Sequence, residues 1–126
     1  MKYLLDVNTL VASRYAGHPH HAAFHRWAMK TGFSNLYTCV HAELGFLRVS
    51  MQAVRLSRKE ADIALAEIRK RTGGYIADCP QPNLATWADT APKTTDAYLC
   101  QLAHANGMQL ATFDNGIKDA AAFLIS

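Results

Sequence analysis

Little in this sequence points to an oxidising compartment or to a membrane. There are three cysteines in 126 residues (Cys39, Cys79 and Cys100), and no two are spaced as Cys-x-x-Cys. An odd set without that spacing argues against a disulfide framework or a cysteine zinc site, and for a reducing environment. No apolar run approaches the ~20 residues of a membrane-spanning helix. The opening "MKYLLDVNTLVAS" has its apolar run cut by Asp6, so no signal peptide is expected and the reading is a cytoplasmic protein with no membrane partner. G-x-G-x-x-G, the P-loop and G-x-S-x-G are all missing, which leaves nucleotide cofactors and serine hydrolysis without support. A dominant charge is missing as well: 13 Lys and Arg against 10 Asp and Glu give +3, which permits a nucleic-acid partner without demanding one.

What is present is a globular composition, half hydrophobic and 18% charged, in a chain sized for a single domain over residues 1–126. "KYLL" predicts a buried strand, and "NTLVASRY" begins a helix. "HPHHAAFHRWAMKTG" predicts a second helix with Pro19 in its first turn and Gly32 past its end. "NLYTCV" reads as a strand, followed by a helix on which Val40, Leu44, Leu47 and Met51 form an apolar stripe. Ser57 and Glu60 form a capping box for a helix that buries Ala61, Ala64, Leu65 and Ile68 and ends at "RTGGY". "ADCPQPN" reads as a loop and "LATWADTA" as a short helix. A helix from about Asp96 to Asn106, the strand "QLATF" and a last short strand in "AAFLI" complete the chain. Apolar strands alternating with helices predict an α/β fold, a short parallel sheet of four to five strands covered by helices on both faces.

Four acids stand out against that frame. Asp6 ends the first strand and Asp114 ends the strand "QLATF", which sets both on one rim of a parallel sheet, where ligands of open α/β sheets bind. Asp96 opens a helix, at the favourable end of its dipole. Glu43 falls on the apolar stripe of its own helix with no Lys or Arg three or four residues away, so burial would leave it needing a partner or a metal. Each has a structural alternative: an Asx-turn for Asp6, a cap for Asp96, an Asn-Gly turn for Asp114. Converging, four carboxylates would repel one another, by roughly 1–4 kcal/mol for a pair at ~4 Å. A hard divalent cation with oxygen ligands would remove that repulsion.

The segments "LLDVNTLVA", "HPHHAAFHRWA", "HAELGFLRV" and "TTDAYLCQLAHANGMQLATFDNGI" together resemble the PIN-domain ribonucleases, specifically the VapC-type toxins of toxin–antitoxin pairs. The resemblance spans nearly the whole chain. It implies a three-layer α/β/α fold and a Mg²⁺ or Mn²⁺ site made by Asp6, Glu43, Asp96 and Asp114, with Asn8 and Thr112 supporting the pocket. It further implies RNA cleavage, often in a transfer or ribosomal RNA, a neutralising VapB-type antitoxin, and a homodimer. Thr9 and Asn115 depart from the usual residues of that family, and neither is expected to touch the acids.

Among the cations, Arg14 is the first choice for RNA contact, since it follows the helix that starts at the acid rim. His21 and His25, four apart on a helix, have the spacing to chelate a transition metal, but no Glu or Cys joins them and packing is the better reading. Three rivals remain. A receiver-like phosphoacceptor would need an aspartate on the middle strand, and "NLYTCV" has none. A binding module without catalysis is disfavoured by the presence of all four acids. A housekeeping PIN nuclease would lack an antitoxin gene beside it.

Overall fold

Tyr3, Leu4 and Leu5 form the first strand, β1 (Tyr3–Leu5), and Asp6 is both its end and the N-cap of the helix that follows, α1 (Val7–Arg14). The computed structural model describes all 126 residues. The Asp6 carboxylate accepts the Thr9 backbone N–H at 2.8 Å, satisfying one of the donors that a helix start leaves free. Helix α2 (His21–Thr31) begins after Pro19, which precedes the helix instead of sitting in its first turn. Gly32 ends it with φ +91°, a conformation that glycine adopts without penalty. A 3₁₀ turn (Phe33–Asn35) leads into β2 (Leu36–Cys39).

Helix α3 (Val40–Gln52) buries Ala42, Glu43, Gly45, Phe46 and Ser50. This is not the stripe that the apolar spacing suggested, because Leu44 and Met51 are exposed. Phe46 supplies the large buried side chain, and small residues let the helices close in around it. A Cβ at Gly45 would stand 2.4 Å from a methyl of Val7, so α1 and α3 approach more closely here than any larger residue allows. Helix α4 (Arg58–Arg71) opens with both bonds of the Ser57–Glu60 capping box and buries Ala61, Ala64, Leu65 and Ile68.

Strand β3 (Gly74–Ile76) begins directly at the second glycine, where the sequence suggested only a break. The segment expected as a short helix, "LATWADTA", is not one. The Trp87 indole N–H donates to Asp119 at 2.8 Å, and regular structure resumes only at a 3₁₀ turn over Ala91–Lys93. Then come α5 (Thr94–Ala105), β4 (Gln109–Thr112) and β5 (Ala122–Leu124).

All strand pairings are parallel, in the order β3-β2-β1-β4-β5. The chain steps outward from β1 to β3, then returns across the sheet to β4 and β5. Right-handed crossovers put connections that travel in opposite directions on opposite faces. Helices α1 to α4 therefore cover one side and α5 the other, an α/β/α sandwich. One core runs through it, including Leu4, Leu5, Leu10, Phe46, Leu99 and Leu110. No helix is long and apolar enough to cross a membrane.

Candidate active site at the β1–β4 switch point

The direction of winding reverses between β1 and β4, which opens a crevice at the carboxyl ends of those two strands. Asp6 follows β1 and Asp114 lies just past β4. Asp96, in the first turn of α5, reaches the same place from the other layer. All three line one open cleft of about 440 Å³, together with Asn8, His20 and Phe113. Helix α5, which covers the side opposite α1, thus delivers the third carboxylate.

Electrostatics follow from this crowding. Burial pushes the Asp96 carboxyl up to about 6, and the charges of Asp6 and then Asp114 push in the same direction. Asp6 is 4% exposed, and burial raises it as well. The hydroxyls of Thr112 and Thr9 and the Thr9 backbone N–H pull it back down, while Asp114 adds a smaller upward push. Thr9 therefore does touch the acid set, contrary to expectation. Its hydroxyl also donates to the Ala111 carbonyl at 3.1 Å, tying α1 to β4. Thr112 supports the site from the other side, since its Oγ1 accepts the Asp114 backbone N–H at 3.0 Å. Asp114 combines two roles: it lines the cleft, and its Oδ1 accepts the Gly116 N–H at 2.8 Å, an Asx-turn where a simple Asn-Gly turn was expected.

Glu43 is buried as expected but is not brought to this cleft. It lines a separate groove with Thr38, Arg69 and Tyr75. Its Oε2 accepts the Thr38 hydroxyl at 2.6 Å, and its Oε1 accepts from the Arg69 guanidinium, with Nε at 3.2 Å. Arg69 lies on α4, beyond the reach of any search along Glu43's own helix. This pair satisfies the buried carboxylate without a metal and raises the pKa of Arg69. Arg14 is also placed elsewhere, with its Nε 3.1 Å from the Glu67 carboxylate of α4.

The histidines resolve into two groups. His21 Nδ1 lies 2.8 Å from the Ala12 carbonyl and His25 Nε2 lies 3.0 Å from the Ser13 carbonyl. Each ring thus donates to a carbonyl that the last turn of α1 would otherwise leave free, which accounts for the four-residue spacing by capping instead of chelation. His20 lines the cleft, and His18 stands beside it against Asn8. The His18 Nδ1 accepts the His20 backbone N–H at 3.0 Å, so the neutral ring carries its proton on Nε2 and donates to Asn8 Oδ1, also at 3.0 Å. Burial, then the repulsion that a charged ring would meet from His20 and His21, lower the His18 pKa and favour this neutral form. Nothing in the local pattern signals that His20 and Phe113 flank the acids, because the contact depends on how the loop after α1 folds back over the end of β4.

The cleft suits a hydrated hard cation. Its donors are carboxylate oxygens, two of them raised in pKa by burial and mutual repulsion, and there is room for an ion with several waters at ~30 Å³ each. No group of three or more His, Cys, Asp or Glu side chains lies close enough together to hold a metal ion by itself. An ion here would take one or two carboxylates directly and keep several of its waters, as Mg²⁺ does.

Residues 3–122 match the family described as PIN domain. The chain is 34% identical to ribonuclease VapC38 of Mycobacterium tuberculosis, over 90% of this chain and 86% of that protein. It is 30% identical to ribonuclease VapC39 of the same species, over 97% of this chain and 95% of the relative. A third relative, ribonuclease VapC29, is 31% identical over 93% of this chain and 89% of its own length.

Proposed function

The chain belongs to the PIN-domain family, and from that premise we propose that it is a metal-dependent endoribonuclease toxin of the VapC type. The observation that carries the reading is the convergence of Asp6, Asp96 and Asp114 on one cleft at the switch point of the sheet. Asp6 and Asp96 would hold a Mg²⁺ or Mn²⁺ ion directly, with Asp114 binding it or one of its waters. When bound, such an ion lowers the pKa of its water toward neutrality and stabilises charge on a phosphoryl oxygen. The protein's own part is to hold the carboxylates in register. Thr9 and Thr112 fix Asp6, Thr112 and Gly116 fix Asp114, and His18 fixes Asn8 at the mouth. We assign Glu43 to the support of the fold through Arg69 and Thr38.

The same reading makes the substrate a transfer or ribosomal RNA in the cytoplasm, with a VapB-type antitoxin as neutralising partner and a second copy of the chain completing a homodimer. The test is cleavage of RNA by purified protein with Mg²⁺ or Mn²⁺. Asp96→Asn should stay folded and lose cleavage, and a chelator should silence the wild type reversibly. Cleavage by Asp96→Asn at the wild-type rate would end the proposal.

A further inference from the structure

Beside the three acids, the cleft presents a feature with no role in holding an ion. The imidazole of His20 lies flat on the ring of Phe113, with ring centres 4.3 Å apart and planes only 5° from parallel. Both residues line the acid cleft. Phe113 is half-buried and sits between Thr112 and Asp114, so its position is set by β4 and the Asx-turn. His20 is exposed, and it is held from two sides: by the stack and by its backbone N–H on His18. His18 in turn is bonded to Asn8, in the first turn of α1. One face of His20 is covered by Phe113 and the ring as a whole faces solvent.

An exposed aromatic plane, backed by a second ring and fixed beside a cluster of carboxylates, is poorly explained as core packing. It offers no charge pair and buries little surface. Unpaired RNA bases are recognised by such planes, and stacking tolerates every base because each has a π-face. An acid cleft repels the phosphate backbone, so a neutral contact to the base is the kind of grip that this wall can provide.

We propose that His20, backed by Phe113, is the stacking platform for an unpaired nucleobase of the RNA, and so fixes which phosphodiester enters the acid cleft. The inference rests on the ribonuclease reading above. His20 acts here through its ring face and binds substrate without exchanging a proton.

The experiment uses the full chain with Mn²⁺ and a random-sequence pool of single-stranded RNA, with cut positions mapped by sequencing of new 5′ ends. The wild type should show a base preference at one position beside the cut. His20→Ala should flatten that preference and raise KM about tenfold with kcat nearly unchanged, as expected for the loss of one stacked base. His20→Phe, which keeps the plane and removes the nitrogens, should restore both. A melting curve on each variant checks folding, which an exposed side chain should not disturb. If His20→Ala cuts the same positions with the wild-type KM, the platform is refuted while the ribonuclease reading stands. If His20→Phe behaves like His20→Ala, or if kcat falls with KM unchanged, the ring acts through its nitrogens and stacking is refuted. If the wild type cuts transfer or ribosomal RNA but leaves the pool intact, an unpaired base alone does not select the site and the platform is refuted; if it cuts none of these, the ribonuclease reading falls and the platform with it.

Discussion

Asp96 holds a proton up to about pH 6 in the folded chain, against an ordinary value of 3.8. Between those values the folded state keeps a proton that the unfolded chain has released. The metal-free protein is therefore expected to lose stability as pH rises through about 6. Burial raises Asp6 in the same direction. Asp96→Asn should weaken this slope and melt above the parent at neutral pH without metal, while saturating Mn²⁺ should reverse the slope in the wild type by binding the ionised acids. Melting curves across the pH range, with and without Mn²⁺, check both. Glu43 is expected to act on the fold instead of on the ion. Glu43→Gln removes a charged acceptor from Thr38 and Arg69 and should cost roughly 1–3 kcal/mol of stability in denaturant titrations, yet leave Mn²⁺ binding intact. At this scale the acids themselves were legible, because a carboxylate after an apolar strand or on a helix start is visible in a short window. Glu43's partner was not, since Arg69 is 26 positions away on another helix.

Among the elements, α3 departs most from its pattern. Leu44 and Met51 drew attention to an exposed face, because the buried face is made of Ala42, Glu43, Gly45, Phe46 and Ser50, of which only Phe46 is a large apolar residue, while Leu47 packs at the edge of the core. Gly45→Ala would drive a methyl into Val7, a β-branched side chain with little freedom to turn away, and Val7 also lines the acid cleft. The expected loss is about 1–3 kcal/mol, with cleavage falling as well. Ser57→Ala, at the far end of α4's chemistry, should cost about 1 kcal/mol through the lost capping box and leave cleavage unchanged. Equilibrium unfolding paired with an activity assay separates the two. The helices with clean signals, α4 and α5, were read nearly to their ends. Strand β3 was hidden because Gly73 and Gly74 look like a stop. They are small because Ser34 and Tyr37 crowd them from β2's side.

Over the whole molecule, the parallel sheet follows from the alternation of apolar strands and helices. The strand order does not, yet it is the strand order that makes the site. With β1 between β2 and β4, the ends of β1 and β4 face one crevice and α5 closes it from the opposite layer. That arrangement sets Asp6, Asp96 and Asp114 around one cleft, the place proposed for a divalent ion, and leaves Glu43 lining a separate groove. Titration of Mn²⁺ into metal-free protein, followed by calorimetry, tests this most directly. The wild type and Glu43→Gln should bind Mn²⁺ alike, and Asp96→Asn should bind it far more weakly. Equal binding by Asp96→Asn and the wild type, or binding abolished by Glu43→Gln in a protein that still folds, would contradict the account.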